Sequence, residues 1–258
     1  MDKKLIFLDL DGTIISHKTN SIPNSTVKAI KLLKKNGHTV IIATGRPPSL
    51  FYGIDKELEI DSYVAANGRI AVYEGKLVLD KPIDHEIVKS FEEYATLNNI
   101  DIAFEGINDY VLNSDNSGLS NQFSDVFHLH YPEVVKEFHL HNNVYQIIMF
   151  YTKDDFKTFE TMFPSLNFSF ANNYGIDVNA KGGLKDVGVK ALVNHLNFDL
   201  KDTIAVGDGF NDISMIEYCN IGIAMGNAAI KVQESADIVT DRVEEDGLYN
   251  VFLKLGLI

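Results

Sequence analysis

Apolar residues along the chain gather in short runs that stop at polar, turn-forming residues, and between the runs the apolar spacing becomes helical. In KLIFLDLDGTI, Leu5 to Leu8 predicts a strand covered on both faces, and Gly12 with Thr13 supplies the turn that ends it. IPNSTVKAIKLLKKNG predicts a helix with Asn24 or Ser25 as N-cap, Val27, Ile30 and Leu33 on the apolar face, and Gly37 as the stop. HTVIIATGR repeats the buried-strand pattern and ends at Thr44 and Gly45; DSYVAANG adds a shorter strand ending at Asn67 and Gly68. The C-terminal part continues in the same style. A helix from about Lys185 to Leu196 is followed by DTIAVGDG, the helical NDISMIEYC, the strand IGIAM, the helix AAIKVQES, the strand ADIVT and a closing helix at GLYNVFLKLG. Such alternation predicts an α/β fold built on a doubly wound parallel sheet.

From about Ile83 to Lys181 the texture changes. Tyr, Phe, His and Asn become frequent, and NVYQIIMFYT and LNFSFAN read as strands without acidic ends. The expected organisation is therefore a core of residues 1–82 and 182–258 with an inserted α+β domain at 83–181, without repeats or low-complexity tracts. Within the insertion, HLHYPEVVKEFHLH brings together His128, His130, His139 and His141. With no acid partner at a metal-site spacing, it reads as a half-exposed strand face rather than a metal centre.

Composition narrows the classes. A chain of 258 residues with 45% apolar content can bury a sizeable core. Lys and Arg number 23 against 36 Asp and Glu, and the formal charge of -13 argues against nucleic-acid or anionic-membrane surfaces. The single cysteine, Cys219, builds neither an internal disulfide nor a thiolate cluster and is read as a helix residue of the core. MDKK precedes only four apolar residues before Asp9, too few for a signal segment, and no run approaches a membrane span. The expected location is cytoplasmic.

In a parallel sheet, ligands bind beyond the carboxyl ends of the strands, where residues far apart in sequence meet. Asp9 and Asp11 stand at one such end on the same side of the strand, a costly pair unless a cation or a shared proton separates them. Thr44 with Gly45, Lys185 at a helix start, and Asp208 with Asn211 and Asp212 supply the others. Hard oxygen ligands in a site that also holds phosphate suit Mg²⁺. Each residue alone has a plainer reading: Asp and Gly shape turns, Asp212 begins a helix, and Arg46 could be an ordinary surface arginine before Pro47.

The ordered set DLDGT, TGR, the lysine of KGGLK and GDGFND resembles the four-motif signature of the haloacid dehalogenase superfamily. Asn67-Gly68, with an insertion after the second motif, is similar to its Cof-type phosphatases. Motifs and core together cover about two-thirds of the chain. The resemblance implies a Rossmann-like core, an α+β cap that closes over the site, and Mg²⁺-dependent hydrolysis of phosphate monoesters. By position it makes Asp9 the nucleophile that forms an aspartyl-phosphate and Asp11 the acid and then base. It assigns Mg²⁺ to Asp9, Asp11 (through its carbonyl), Asp208 and Asp212, the last as support. Phosphate contacts fall to Leu10, Thr44, Gly45, Arg46, Asn67, Lys185 and Asn211. Motif register selects Lys185 over Lys181. The implied partner is a phosphorylated small molecule, such as a sugar phosphate, bound by a monomer or homodimer.

Other classes share some of these features. A phosphoacceptor signalling domain uses similar acids but is about half this length and needs no cap, and a non-catalytic phospho-ligand-binding protein would not need the full motif set. A phosphomutase would pass the same aspartyl-phosphate to a second hydroxyl. Substrate contacts are expected on the insertion, with Glu105, Asn108, Asp109 and Tyr110 as polar candidates.

Overall fold

The computed structural model describes residues 3–152 and 156–258. In chain order its elements are β1 (Leu5–Leu8), α1 (Asn24–Lys35), β2 (Thr39–Ala43), α2 (Ile54–Glu57), β3 (Tyr63–Ala65), β4 (Ile70–Tyr73) and β5 (Lys76–Asp80). Then come α3 (His85–Leu97), β6 (Ile102–Glu105), β7 (Tyr110–Leu112), α4 (Leu119–Phe127), β8 (Glu133–Val134), β9 (Gln146–Met149), α5 (Phe156–Met162), β10 (Leu166–Asn172) and β11 (Gly175–Ala180). The chain closes with α6 (Lys185–His195), β12 (Thr203–Gly207), α7 (Ile213–Tyr218), β13 (Ile221–Ala224), α8 (Ile230–Glu234), β14 (Ile238–Val239) and α9 (Gly247–Lys254). Two compact units result. One comprises Met1–Gly45, Tyr52–Asp80 and Gly183–Ile258; the other comprises Arg46–Phe51 and Lys81–Gly182.

The first unit is built on an eight-stranded sheet in the order β14-β13-β12-β1-β2-β3-β4-β5. Strands β14 to β3 pair in parallel, as the buried apolar runs require, whereas β3, β4 and β5 pair antiparallel. The sheet is thus mixed at one edge, because the turn through Ala66, Asn67 and Gly68, all at positive φ, reverses the chain between β3 and β4, and Glu74 with Gly75, also at positive φ, reverses it again in a tight hairpin that sequence reading did not single out. Helix α1 also starts differently from expectation. Asn24 is already its first residue, Pro23 occupies the cap position, and no side chain caps the end. Leu5 to Leu8 are fully buried in the middle of this sheet. Each such residue contributes about 1.5–3 kcal/mol, which helps offset the cost of the charged groups just beyond them.

The second unit carries a six-stranded sheet, β10-β11-β9-β6-β7-β8, antiparallel except between β7 and β8. Asp84 caps α3 by accepting from Glu86 N at 2.9 Å. Val88, Phe91 and Ala95 of that helix pack with Phe159 of α5 on Ile102, Phe104, Ile147 and Met149. Segment 46–51 belongs here because Leu50 packs with Tyr110, Phe123, Ile148 and Phe150 and because Ser49 N donates to Ile107 O at 3.1 Å. The histidines of this stretch do not lie on a strand face. His128 ends α4 in the left-handed conformation, and His139 lies in a short 3-10 turn with Nδ1 2.5 Å from Glu92. Among the described residues no helix is long and apolar enough to cross a membrane.

Candidate active site

Register explains why distant residues meet. Leu8 pairs with Val206 on one side and Ile42 on the other, so Asp9, Gly207 and Ala43 follow side by side, and Thr44 and Asp208 come one step later. Asp9 keeps its place by donating its amide to Val206 O at 3.0 Å. After it the chain folds tightly: Ile14 N and Ile15 N both donate to Leu10 O, at 2.9 and 2.7 Å. Gly12 sits in that loop at φ +83°, and a Cβ there would strike the Asp208 carboxylate. The close approach of loop and acid therefore depends on glycine.

One carboxylate oxygen from each of Asp9, Asp208 and Asp212 lies within 4.8 Å of the others. Lys185, at the first turn of α6 and fully buried, donates its Nζ to Asp9 Oδ1 and Asp212 Oδ1, each at 2.5 Å. The other oxygen of Asp212 accepts from the amides of Asp208 (2.9 Å) and Gly209 (2.8 Å), so both of its oxygens are committed to the protein. Lys185 is placed by β3 and the turn after it. Gly68, at φ +88°, lies so close to Leu184 that a Cβ would strike the Leu184 carbonyl, and Arg69 donates to Gly183 O at 3.3 Å. Lys185, not Lys181, is thus the lysine of this cluster.

Burial, then Asp212, raises the Asp9 carboxyl well above its ordinary range against the opposing pull of Lys185. The same two causes bring Asp208 to about 7. For Lys185, burial disfavours the charge, but the Asp212 and Asp9 carboxylates together outweigh it and raise the amine above its usual value. Three acids share one lysine. The donor set and its spacing fit a hard divalent cation, which would relieve the repulsion that raises Asp9 and Asp208.

Thr44 is buried, with its amide on Val64 O at 2.9 Å. Beside it, a Cβ on Gly45 would lie 3.2 Å from Asn67 Oδ1 and 3.3 Å from Asn211 Nδ2, and these two side chains bond to each other at 2.9 Å. The structure therefore gathers Thr44, Gly45, Asn67 and Asn211 at the strand ends. Leu10 is fully buried, and its carbonyl is taken up by the turn that follows it. Asp11 is partly exposed and stands outside the three-acid group. Arg46 belongs to the second unit and donates to Leu50 O at 3.0 Å.

Sequence reading missed Asn227. Its Nδ2 donates to Gly12 O (2.8 Å) and Asp208 Oδ2 (3.0 Å), while its Oδ1 accepts from Val243 N (3.0 Å). The signal was available, since Asn227 follows β13 and so occupies a strand end like the others.

A family model described as haloacid dehalogenase-like hydrolase matches residues 6–252. The chain belongs to this family. The hydrolase is 35% identical over 263 residues to the Bacillus subtilis protein named "Putative phosphatase YkrA", with both chains covered completely. Among solved structures it matches a hypothetical protein of Geobacillus kaustophilus HTA426 with a TM-score of 0.94, at 31% identity and with both chains fully covered. It also matches a HAD subclass IIB sugar phosphatase with a TM-score of 0.87 at 30% identity, over 99% of this chain and 100% of the other. The hydrolase thus carries its acids and lysine on a fold shared across its whole length.

Proposed function

We propose that the protein is a phosphatase that hydrolyses phosphate monoesters of small metabolites, sugar phosphates among them, through an aspartyl-phosphate on Asp9. The observation that carries this reading is the buried arrangement in which Lys185 bonds Asp9 and Asp212 beside Asp208. The likeness to a sugar phosphatase and to YkrA supports it. Asp9 attacks phosphorus, and Asp11 gives a proton to the departing alkoxide; Asp11 then takes a proton from the water that cleaves the aspartyl-phosphate. Thr44, the Gly45 amide and Lys185 hold the phosphoryl oxygens, with Asn211 and Asn67 bracing that side. Mg²⁺, held by Asp9, Asp208 and the Asp11 carbonyl, would neutralise charge on the phosphate, and Asp212 would orient Lys185 and the Asp208 loop rather than ligate. The second unit acts as the cap that sets specificity.

A screen of phosphorylated metabolites with Mg²⁺, reading released phosphate, tests the reading. Phosphate labelled from isotopic water identifies hydrolysis, whereas transfer of the label-free group to a second sugar identifies a mutase. Asp11→Asn should impair sugar phosphates at least about tenfold more than para-nitrophenyl phosphate, whose leaving group needs less protonation. Equal losses on both would remove Asp11 from the proton path.

Metal removal has its own signature. Asp208 and Asp9 bind protons in the folded state at pH values where the unfolded chain has lost them, so the metal-free stability they contribute is greatest below about pH 4 and declines as pH rises, for Asp208 through about 7. Added Mg²⁺ should therefore raise Tm more at pH 8 than at pH 5. A metal-induced shift that is equal at both pH values, or absent, contradicts cation binding by these acids.

A further inference from the structure

Within the second unit a cavity of about 390 Å³ opens between α3, the segment that follows β7 and the turn at Lys136 and Glu137. Every residue that lines it belongs to this unit, and its size falls in the range of small-molecule sites. Asn113 is buried and Glu92 and Ile100 are half-buried, whereas Asn99, Lys136 and Glu137 are exposed, so the cavity has a closed end and a mouth.

Its walls are held by bonds of the protein itself. After β7 the chain wraps around Asp101, whose carboxylate accepts from the amides of Asn116 (2.9 Å) and Ser117 (2.7 Å) and from the hydroxyls of Ser114 and Ser117, each at 2.7 Å. Asn113 is anchored by its Oδ1, which accepts from Ile102 N at 2.8 Å. Another wall is set by Glu137, which takes a left-handed conformation (φ +59°) ahead of the 3-10 turn that carries His139 to within 2.5 Å of Glu92 Oε2. A glutamate adopts that backbone only where its surroundings impose it.

The groups these bonds leave over are of both signs. Asn113 is 8% exposed and its oxygen is used, yet among the described residues its Nδ2 has no partner; Lys136 likewise has no ion-pair partner there. Glu92 keeps its second oxygen, and burial followed by the nearby Glu137 charge raises its carboxyl against the pull of His139. A buried donor without an acceptor is costly, and so are two carboxylates that face each other without a cation. A simple anion would meet both acids, and a simple amine would leave Asn113 and Lys136 unanswered. A molecule with one ammonium and one carboxylate answers both. We propose that this cavity binds a free α-amino acid, with its ammonium on Glu92 and Glu137, its carboxylate on Asn113 Nδ2 and Lys136, and its side chain along Ile100. The site goes beyond the phosphatase reading and does not depend on it.

Isothermal titration calorimetry of the full-length protein with each common amino acid tests this. At least one should bind with a Kd below about 1 mM. Its carboxamide and its N-acetyl derivative, each lacking one charge, should bind at least about tenfold more weakly. Lys136→Met and Glu137→Gln, at exposed positions where the fold is not at stake, should weaken the amino acid about five- to tenfold. Lys136→Met should leave the carboxamide within about twofold of its wild-type affinity, because the partner of the lysine is already missing. Asn113→Asp keeps the oxygen that Ile102 N needs and should weaken the amino acid at least about tenfold. Asp9→Asn should bind it as wild type does. Absence of binding by every amino acid at about 10 mM, a carboxamide or N-acetyl derivative bound as tightly as the amino acid, unchanged affinity in the Lys136 and Glu137 variants, or loss of binding in Asp9→Asn overturns the proposal. None of these results bears on phosphate release, so the phosphatase reading stands or falls separately.

Discussion

Asp9→Asn should lower turnover by more than about a thousandfold with the fold intact, because covalent catalysis and a cation ligand are lost in one change. The amide keeps the shape of the carboxylate and can still accept from Lys185 Nζ through its oxygen, so the buried contact survives in weakened form. It offers phosphorus a poor nucleophile. Circular dichroism should match wild type, and acid-quenched enzyme given labelled substrate should retain no protein-bound phosphate. Residual activity above about one per cent would mean that another group attacks.

Lys185→Met should damage stability and catalysis together. The change removes a cation that bonds both Asp9 and Asp212, in a place with no exposed surface to admit water. Breaking a buried pair from one side costs about 3–5 kcal/mol, and urea unfolding of the metal-free protein should show a loss of that size. Mg²⁺ should restore part of it, since it too neutralises the acids. Activity should stay at least about a hundredfold down even with saturating Mg²⁺, because the phosphoryl oxygens lose a fixed positive charge. Full recovery of turnover by Mg²⁺ would show the lysine to be merely structural. Lys185→Arg should not rescue, because a planar guanidinium does not fit a pocket shaped for a compact ammonium.

The gathering of acids and lysine at one end of the core sheet was legible because its logic is one-dimensional. A buried run followed by an acid is visible in the sequence, and a parallel sheet brings such ends together whatever their separation in the chain. Asp9, Asp208 and Lys185 followed from that rule and the motif order. Asn227 obeys the same rule, yet a lone amide after a glycine carries no charge to draw attention. The β4–β5 hairpin escaped because Glu74 takes a left-handed conformation that a glutamate does not advertise. In the second unit, alternation assigned side chains to opposite faces without saying which face would be covered. The buried oxygen of Glu105 that accepts no hydrogen bond became visible only once neighbouring strands fixed its surroundings.

The membership of Arg46–Phe51 in the second unit bears on how such enzymes can be recombined. A continuous insertion could be exchanged between relatives as a cassette with two cut sites. Here the cassette has a detached piece: Leu50 belongs to the apolar cluster of Tyr110, Phe123, Ile148 and Phe150, although twenty-nine residues separate Phe51 from the Lys81 where the main block begins. A graft of 81–182 alone would set a foreign sheet against a native Leu50, and a native Arg46 against whatever residue replaces Glu105. Exchange of the whole second unit therefore requires four cuts, and one of them falls between Gly45 and Arg46, so the two units of this chain meet in sequence across a single peptide bond.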